Sequence, residues 1–141
     1  MNRFKNVVLL GLTLALTGLL SCKKDALQGN ASTLVGTWNW LFVGGGFSGG
    51  GNGKNPSTEG YTLRLELTAD GNYTLYKSSK QIEHGRVRKS SDAYGLVSDD
   101  LRKRDNILAG QYITRFDDEN LYIEDAPLCY DCFYYVFKKA P

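Results

Sequence analysis

From Leu34 onward the chain alternates hydrophobic and polar residues in short runs divided by turn residues, and no run carries helical spacing. "TWNWLFV" (Thr37 to Val43) predicts a strand with Trp38, Trp40 and Phe42 on one face. "YTLRLELTADGNYTLYK" predicts a hairpin, because Leu63, Leu65 and Leu67 alternate with Thr62, Arg64 and Glu66. Its register follows from the turn. A two-residue Asp70-Gly71 turn would place Tyr73 and Leu75 on the polar face of the first strand. A three-residue Ala69-Asp70-Gly71 loop, with Gly71 left-handed, pairs Leu67 with Tyr73 and Leu65 with Leu75. The second choice keeps one apolar face continuous and is the one expected.

"QIEHGRVRKS" puts Ile82, His84, Arg86 and Arg88 on one side and Glu83 and Val87 on the other. Its poor apolar face suggests a wet or ligand-facing strand. Ser90 to Asn106 is highly charged and reads as a surface loop with at most one helical turn. "ILAGQYITRF" and "LYIED" flank the turn Asp117 to Asn120, and "FYYVFKK" closes the domain with Phe133, Tyr135 and Phe137 on one face. Seven or eight short antiparallel strands in about 105 residues point to an all-β barrel or sandwich. Closure is the common cure for edge strands in such a chain.

Upstream, "MNRFKNVVLLGLTLALTGLLSCKKD" sets Arg3 and Lys5 before an apolar stretch, Val7 to Leu20, of signal-peptide length. That stretch ends at Leu19-Leu20-Ser21-Cys22, which resembles the lipobox of bacterial lipoproteins, where the cysteine is acylated and becomes the first mature residue. The expected organisation is a signal over 1–21, lipidated Cys22 with a polar tether over 22–33, and one domain over 34–141. Without residues 1–21 the 17 basic residues fall to 15, against 15 acidic ones. A neutral mature chain lacks the basic stripe that a nucleic-acid partner calls for. The expected membrane tie is lipid, not charge. Related lipoproteins exported to the cell surface carry an acidic cluster after the cysteine. Here only Asp25 is acidic, which favours the periplasmic face of the outer membrane.

With Cys22 acylated, Cys129 and Cys132 are left in an oxidising compartment. "FYYVF" follows them and favours strand, so a thiol at an activating helix N-terminus is not expected. A zinc site would need His84 and a carboxylate such as Asp131 to complete four ligands. A disulfide stapling the turn before the last strand is the reading that remains.

"LVGTW" (Leu34 to Trp38) resembles the Gly-x-Trp opening of lipocalins. The lipobox, polar tether, Gly-rich loop, Leu67 to Tyr73 hairpin and lysine-ended last strand together resemble the short lipocalin-like lipoproteins of Bacteroidetes. The resemblance implies a small antiparallel up-and-down β-barrel of about eight strands. Trp38 would plug its closed end, with Gly36 and Gly71 as structural glycines. Lipocalins usually cover that tryptophan with a late arginine. Here Lys138 and Lys139 are the only late basic residues, and no C-terminal helix follows.

"GGGFSGGGNGKNPSTEG" fails the phosphate-loop spacing at Ser48 and again at Asn55, and reads as a long mobile rim loop. His84 has no sequence-identified partner, and the turn carboxylates at Asp99-Asp100 and Asp117 to Glu119 cannot face each other across a cleft. No catalytic residue, metal or cofactor is expected, and no enzyme activity. Amphipathic rings at the open end (Trp40, Tyr61, Tyr73, Tyr112 and Tyr135) would line a site for one small apolar or amphipathic ligand. The alternative is a protein–protein module, an inhibitor or accessory subunit, that uses the charged segment or the Gly-rich loop.

Overall fold

The computed structural model describes residue 27 and residues 29–45, 53–100, 106–125 and 132–141. The expected lipidation at Cys22, the signal, half of the tether and Cys129 lie outside them. Eight strands follow one another: β1 (Gly36–Gly45), β2 (Leu63–Leu67), β3 (Asn72–Lys77), β4 (Lys80–Ser90), β5 (Ala93–Ser98), β6 (Tyr112–Phe116), β7 (Asn120–Glu124) and β8 (Phe133–Lys139). Each pairs antiparallel with its neighbour in sequence, and β8 returns to β1. The result is the expected closed up-and-down barrel. One helical turn, α1 (Pro56–Glu59), stands between β1 and β2.

The β2–β3 register is the expected one. Leu67 pairs with Tyr73 and Leu65 with Leu75, and Gly71 closes the turn with φ 76°. The β6–β7 turn also forms as expected. Asp117 accepts the Glu119 and Asn120 N–H groups at 2.8 and 2.7 Å, and these bonds hold its carboxyl below the usual aspartate range.

Turns at 68–71, 90–93 and 117–120 gather at the end where β1 begins. A 3₁₀ turn, Gly29–Leu34, closes that end. Ala31 and Leu34 are buried, so the body of the domain reaches upstream of Leu34. Trp38 is fully buried and its indole N–H donates to Leu34 O at 2.8 Å. Lys139 does the work expected of a late cation. Its ammonium lies 5.0 Å from the Trp38 ring centre and donates to Thr33 O at 2.8 Å. Gly36 sits at φ 140°, which side-chain-bearing residues avoid, with Lys139 Cε 3.3 Å from where a Cβ would stand.

Four expectations are corrected. Phe42 does not share the inner face with Trp40, because a bulge between them inserts Leu41 and flips the alternation. Phe133 does not join Tyr135 and Phe137 in the core; it is 55% exposed at the open end. The segment from Ser90 to Asn106 is not simply a surface loop, since it contains β5. That strand turns Leu96 and Ser98 inward, a shallow alternation that the surrounding charges hide. β4, read as a wet or ligand-facing strand, divides its faces as expected but packs the Glu83, Gly85 and Val87 face into the barrel, leaving only the His84, Arg86 and Arg88 face wet.

Candidate functional site

Three of the five rings expected at the open end converge there. Trp40 is buried and stacks on Tyr61, with ring centres 5.5 Å apart and planes at 16°. Lys77 sets its ammonium 3.8 Å from the other partner of that stack, the Tyr61 ring centre. Tyr135 pairs with Val43 across β1 and β8 and packs against the core. Burial raises its hydroxyl pKa above the ordinary tyrosine value, helped by the nearby Tyr61, Asp125 and Glu83. Tyr61 is raised too, by burial and then by Glu59.

The other two rings go elsewhere. Tyr112 pairs with Gly95 and Glu124 and alternates with inward Ile113, so it stands on the outside of β6. Tyr73 lies deep in the barrel, not at its mouth. Its strand partner Gly85 has no side chain, and the Tyr73 ring crosses that gap. The hydroxyl thereby reaches Glu83 and donates to its Oε1 at 2.6 Å. The other Glu83 oxygen accepts the N–H groups of Ile107 and Leu108 at 2.7 and 3.0 Å. One buried carboxylate thus ties β3, β4 and the β5–β6 connection together, and Leu108 is drawn fully into the core.

Burial and then the Glu83 hydrogen bond push the Tyr73 hydroxyl far above tyrosine's ordinary 10.0. Folding therefore holds that proton more tightly than the unfolded chain does. The contribution is fully present below pH 10 and declines as pH rises, by about 1.4 kcal/mol per pH unit for this one group. Urea unfolding between pH 9 and 11 should show a steeper loss of stability in the native chain than in Tyr73→Phe. Equal slopes would mean that Tyr73 is not protonated and buried as described.

Beside the ring cluster is a groove of about 820 Å³ between β1, β8 and α1, lined by Trp40, Leu41, Phe42, Asn55, Pro56 and Tyr134 among others. Its wall is built from local rules. Asn55 caps α1 by accepting the Ser57 and Thr58 N–H groups at 2.9 and 3.1 Å. Val43 N–H then donates to Lys54 O at 2.7 Å, which fastens this segment to β1. Tyr134 lies over Gly44 and meets Phe42 edge-on, with centres 6.1 Å apart. The Trp40 indole N–H is buried and has no hydrogen-bond partner among the described residues.

His84 does have a partner: its Nδ1 lies 2.6 Å from Asp99 Oδ2 across β4 and β5. Both side chains are about half exposed, 46% and 55%, so the pair is a surface contact worth little. Among the described residues no group of three or more His, Cys, Asp or Glu side chains could hold a metal ion.

Sequence reasoning missed Glu83 and the Leu41–Phe42–Tyr134 wall. A tyrosine predicted inward with a carboxylate on the next strand was the available signal for Glu83. The bulge at Leu41 left none. No family model and no curated protein matches this chain. The molecule is a closed eight-stranded barrel, filled along its axis, with a groove of mixed polar and aromatic lining beside its mouth.

Proposed function

We propose that this is a lipid-anchored protein of the cell envelope, without enzymatic activity, that holds one small apolar or amphipathic molecule. The groove, not the barrel axis, is the place for it. Below the mouth the axis is occupied by Leu63, Leu65, Tyr73, Leu75, Leu108 and Phe137. The observation that carries this reading is Trp40, a buried ring in the wall of the groove whose N–H has no partner among the described residues. A groove of 820 Å³ falls within the size range of small-molecule sites. An amphipathic ligand would cover the Phe42 and Tyr134 rings. Anchoring at Cys22 on the periplasmic face of the outer membrane, and a Cys129–Cys132 staple ahead of β8, belong to this proposal and rest on the sequence.

The filled axis also favours the second reading, a partner-binding module. Phe133, Leu41 and Phe42 would be its contact residues, at 55%, 39% and 36% exposure.

Native mass spectrometry of residues 23–141, made in a periplasm and exposed to envelope lipid extract, separates the two. The small-molecule reading expects one discrete added mass, lost in both Trp40→Ala and Phe42→Ser. The second variant guards against simple unfolding, because Phe42 is partly exposed. A bare mass across several extracts would hand the case to the partner module. A mass two hydrogens short would reveal the disulfide in the same spectrum.

A further inference from the structure

We infer that the closed end of the barrel faces the anchoring bilayer and that the groove faces away from it, so its ligand arrives from the aqueous side. This rests on the lipid anchor at Cys22 proposed above. The chain enters the domain at the closed end and is pinned there. Leu27 N–H donates to Ala69 O at 3.1 Å, in the β2–β3 turn, and the Leu27 side chain packs against the core. Buried Ala31 and Leu34 follow, with Lys139 and Trp38 bonded to the 3₁₀ turn.

Cys22 precedes Leu27 by only five residues. Fully extended, they span at most about 18 Å. β1 alone runs through ten residues. At about 3.3 Å each, and with a barrel tilt near 40°, the two ends lie roughly 25 Å apart. Standing the barrel on its open end would lift Leu27 about 25 Å from the headgroups, farther than the tether reaches. Upright or leaning, the closed end stays nearest the membrane.

Surface chemistry agrees with a wet apposition there. The closed end mixes exposed Arg88, Lys89 and Lys138 with Asp92, Asp118 and Glu119, so no single sign of charge draws it to anionic lipid. Among the described residues the exposed large apolar side chains are Leu41, Phe42 and Phe133, all toward the open end. The short tether keeps them out of the membrane that holds the protein.

The test uses the full lipidated protein in phosphatidylcholine vesicles that carry an energy-transfer acceptor on a headgroup lipid. The donor dye is placed at Asp118→Cys in the closed-end turn or at Lys80→Cys beside the open-end turn. Both positions are exposed. Transfer from position 118 should be at least about twice that from position 80, given ends roughly 25 Å apart. An insertion of about twelve Gly and Ser residues after Asp25 should abolish the difference, because a flexible tether of that length permits either end down. Equal or reversed transfer in the vesicle-bound, uninserted protein would overturn the orientation. A difference that survives the insertion would overturn the tether as its cause. Failure to float with the vesicles would instead sink the lipid anchor itself.

Discussion

Glu83→Ala is expected to lower the stability of the barrel by about 3–5 kcal/mol. The change strands three donors at once: the Tyr73 hydroxyl and the backbone N–H groups of Ile107 and Leu108. Each unsatisfied buried donor costs about 1–3 kcal/mol, less than additively where groups can reorient or admit water. The cavity left by the side chain adds to this. Glu83→Gln should be milder, about 1–2 kcal/mol, because it keeps the volume and one strong acceptor but loses the charge assistance. Urea unfolding followed by tryptophan fluorescence would give both numbers. Amide exchange at Ile107 and Leu108 should accelerate in the alanine variant well before global unfolding. An alanine variant within about 1 kcal/mol of the native chain would show that the carboxylate does not hold the β5–β6 connection in place.

Trp38→Ala should be of similar size, about 3–5 kcal/mol, for a different reason. Here the loss is volume and contact at the closed end. The ring is fully buried, its N–H satisfies Leu34 O, and the Lys139 ammonium rests over it. Removing it takes away the surface on which the 3₁₀ turn and the end of β8 meet. In thermal melts the midpoint should fall by about 10–20 °C. Trp38→Phe keeps most of the apolar area and should recover more than half of that drop. If the two variants melted together, the N–H bond and not the ring's volume would be the dominant contribution.

How much of this was legible beforehand depended on whether one strand's alternation was clean. The Leu63 to Lys77 hairpin was, and its register followed from keeping Leu65 and Leu75 on one face. Trp38 was legible from the Gly-x-Trp pattern at the head of the first strand, whereas the 3₁₀ turn that seats it had been read as tether. Phe42 was misread because a single inserted residue, Leu41, reverses every face after it, and no sequence signal marks the bulge. Glu83 was misread because a carboxylate inside a barrel is tolerable only with several donors around it. Two of its three donors are backbone groups from residues 24 and 25 positions away, which no side-chain pattern can announce. Of the site itself, Trp40, Tyr61 and Tyr135 were foreseen as neighbours. The apolar wall that makes a groove beside them was not, because it depends on that bulge and on the way α1 is fastened to β1.

Ring closure by the first and last strands has a consequence for biosynthesis. Phe137 and Lys139 complete the core and the Trp38 seat, yet they lie about a hundred residues after β1 begins. A chain emerging N-terminus first, from a ribosome or through a membrane channel, cannot close until β8 is free. Before then β1 and β7 present open edges, and such edges recruit strands from other chains. A nascent barrel of this connectivity is therefore pliable enough to be threaded and vulnerable to aggregation over the same interval. Final zipping converts both properties at once, and a holding chaperone would act in the seconds between.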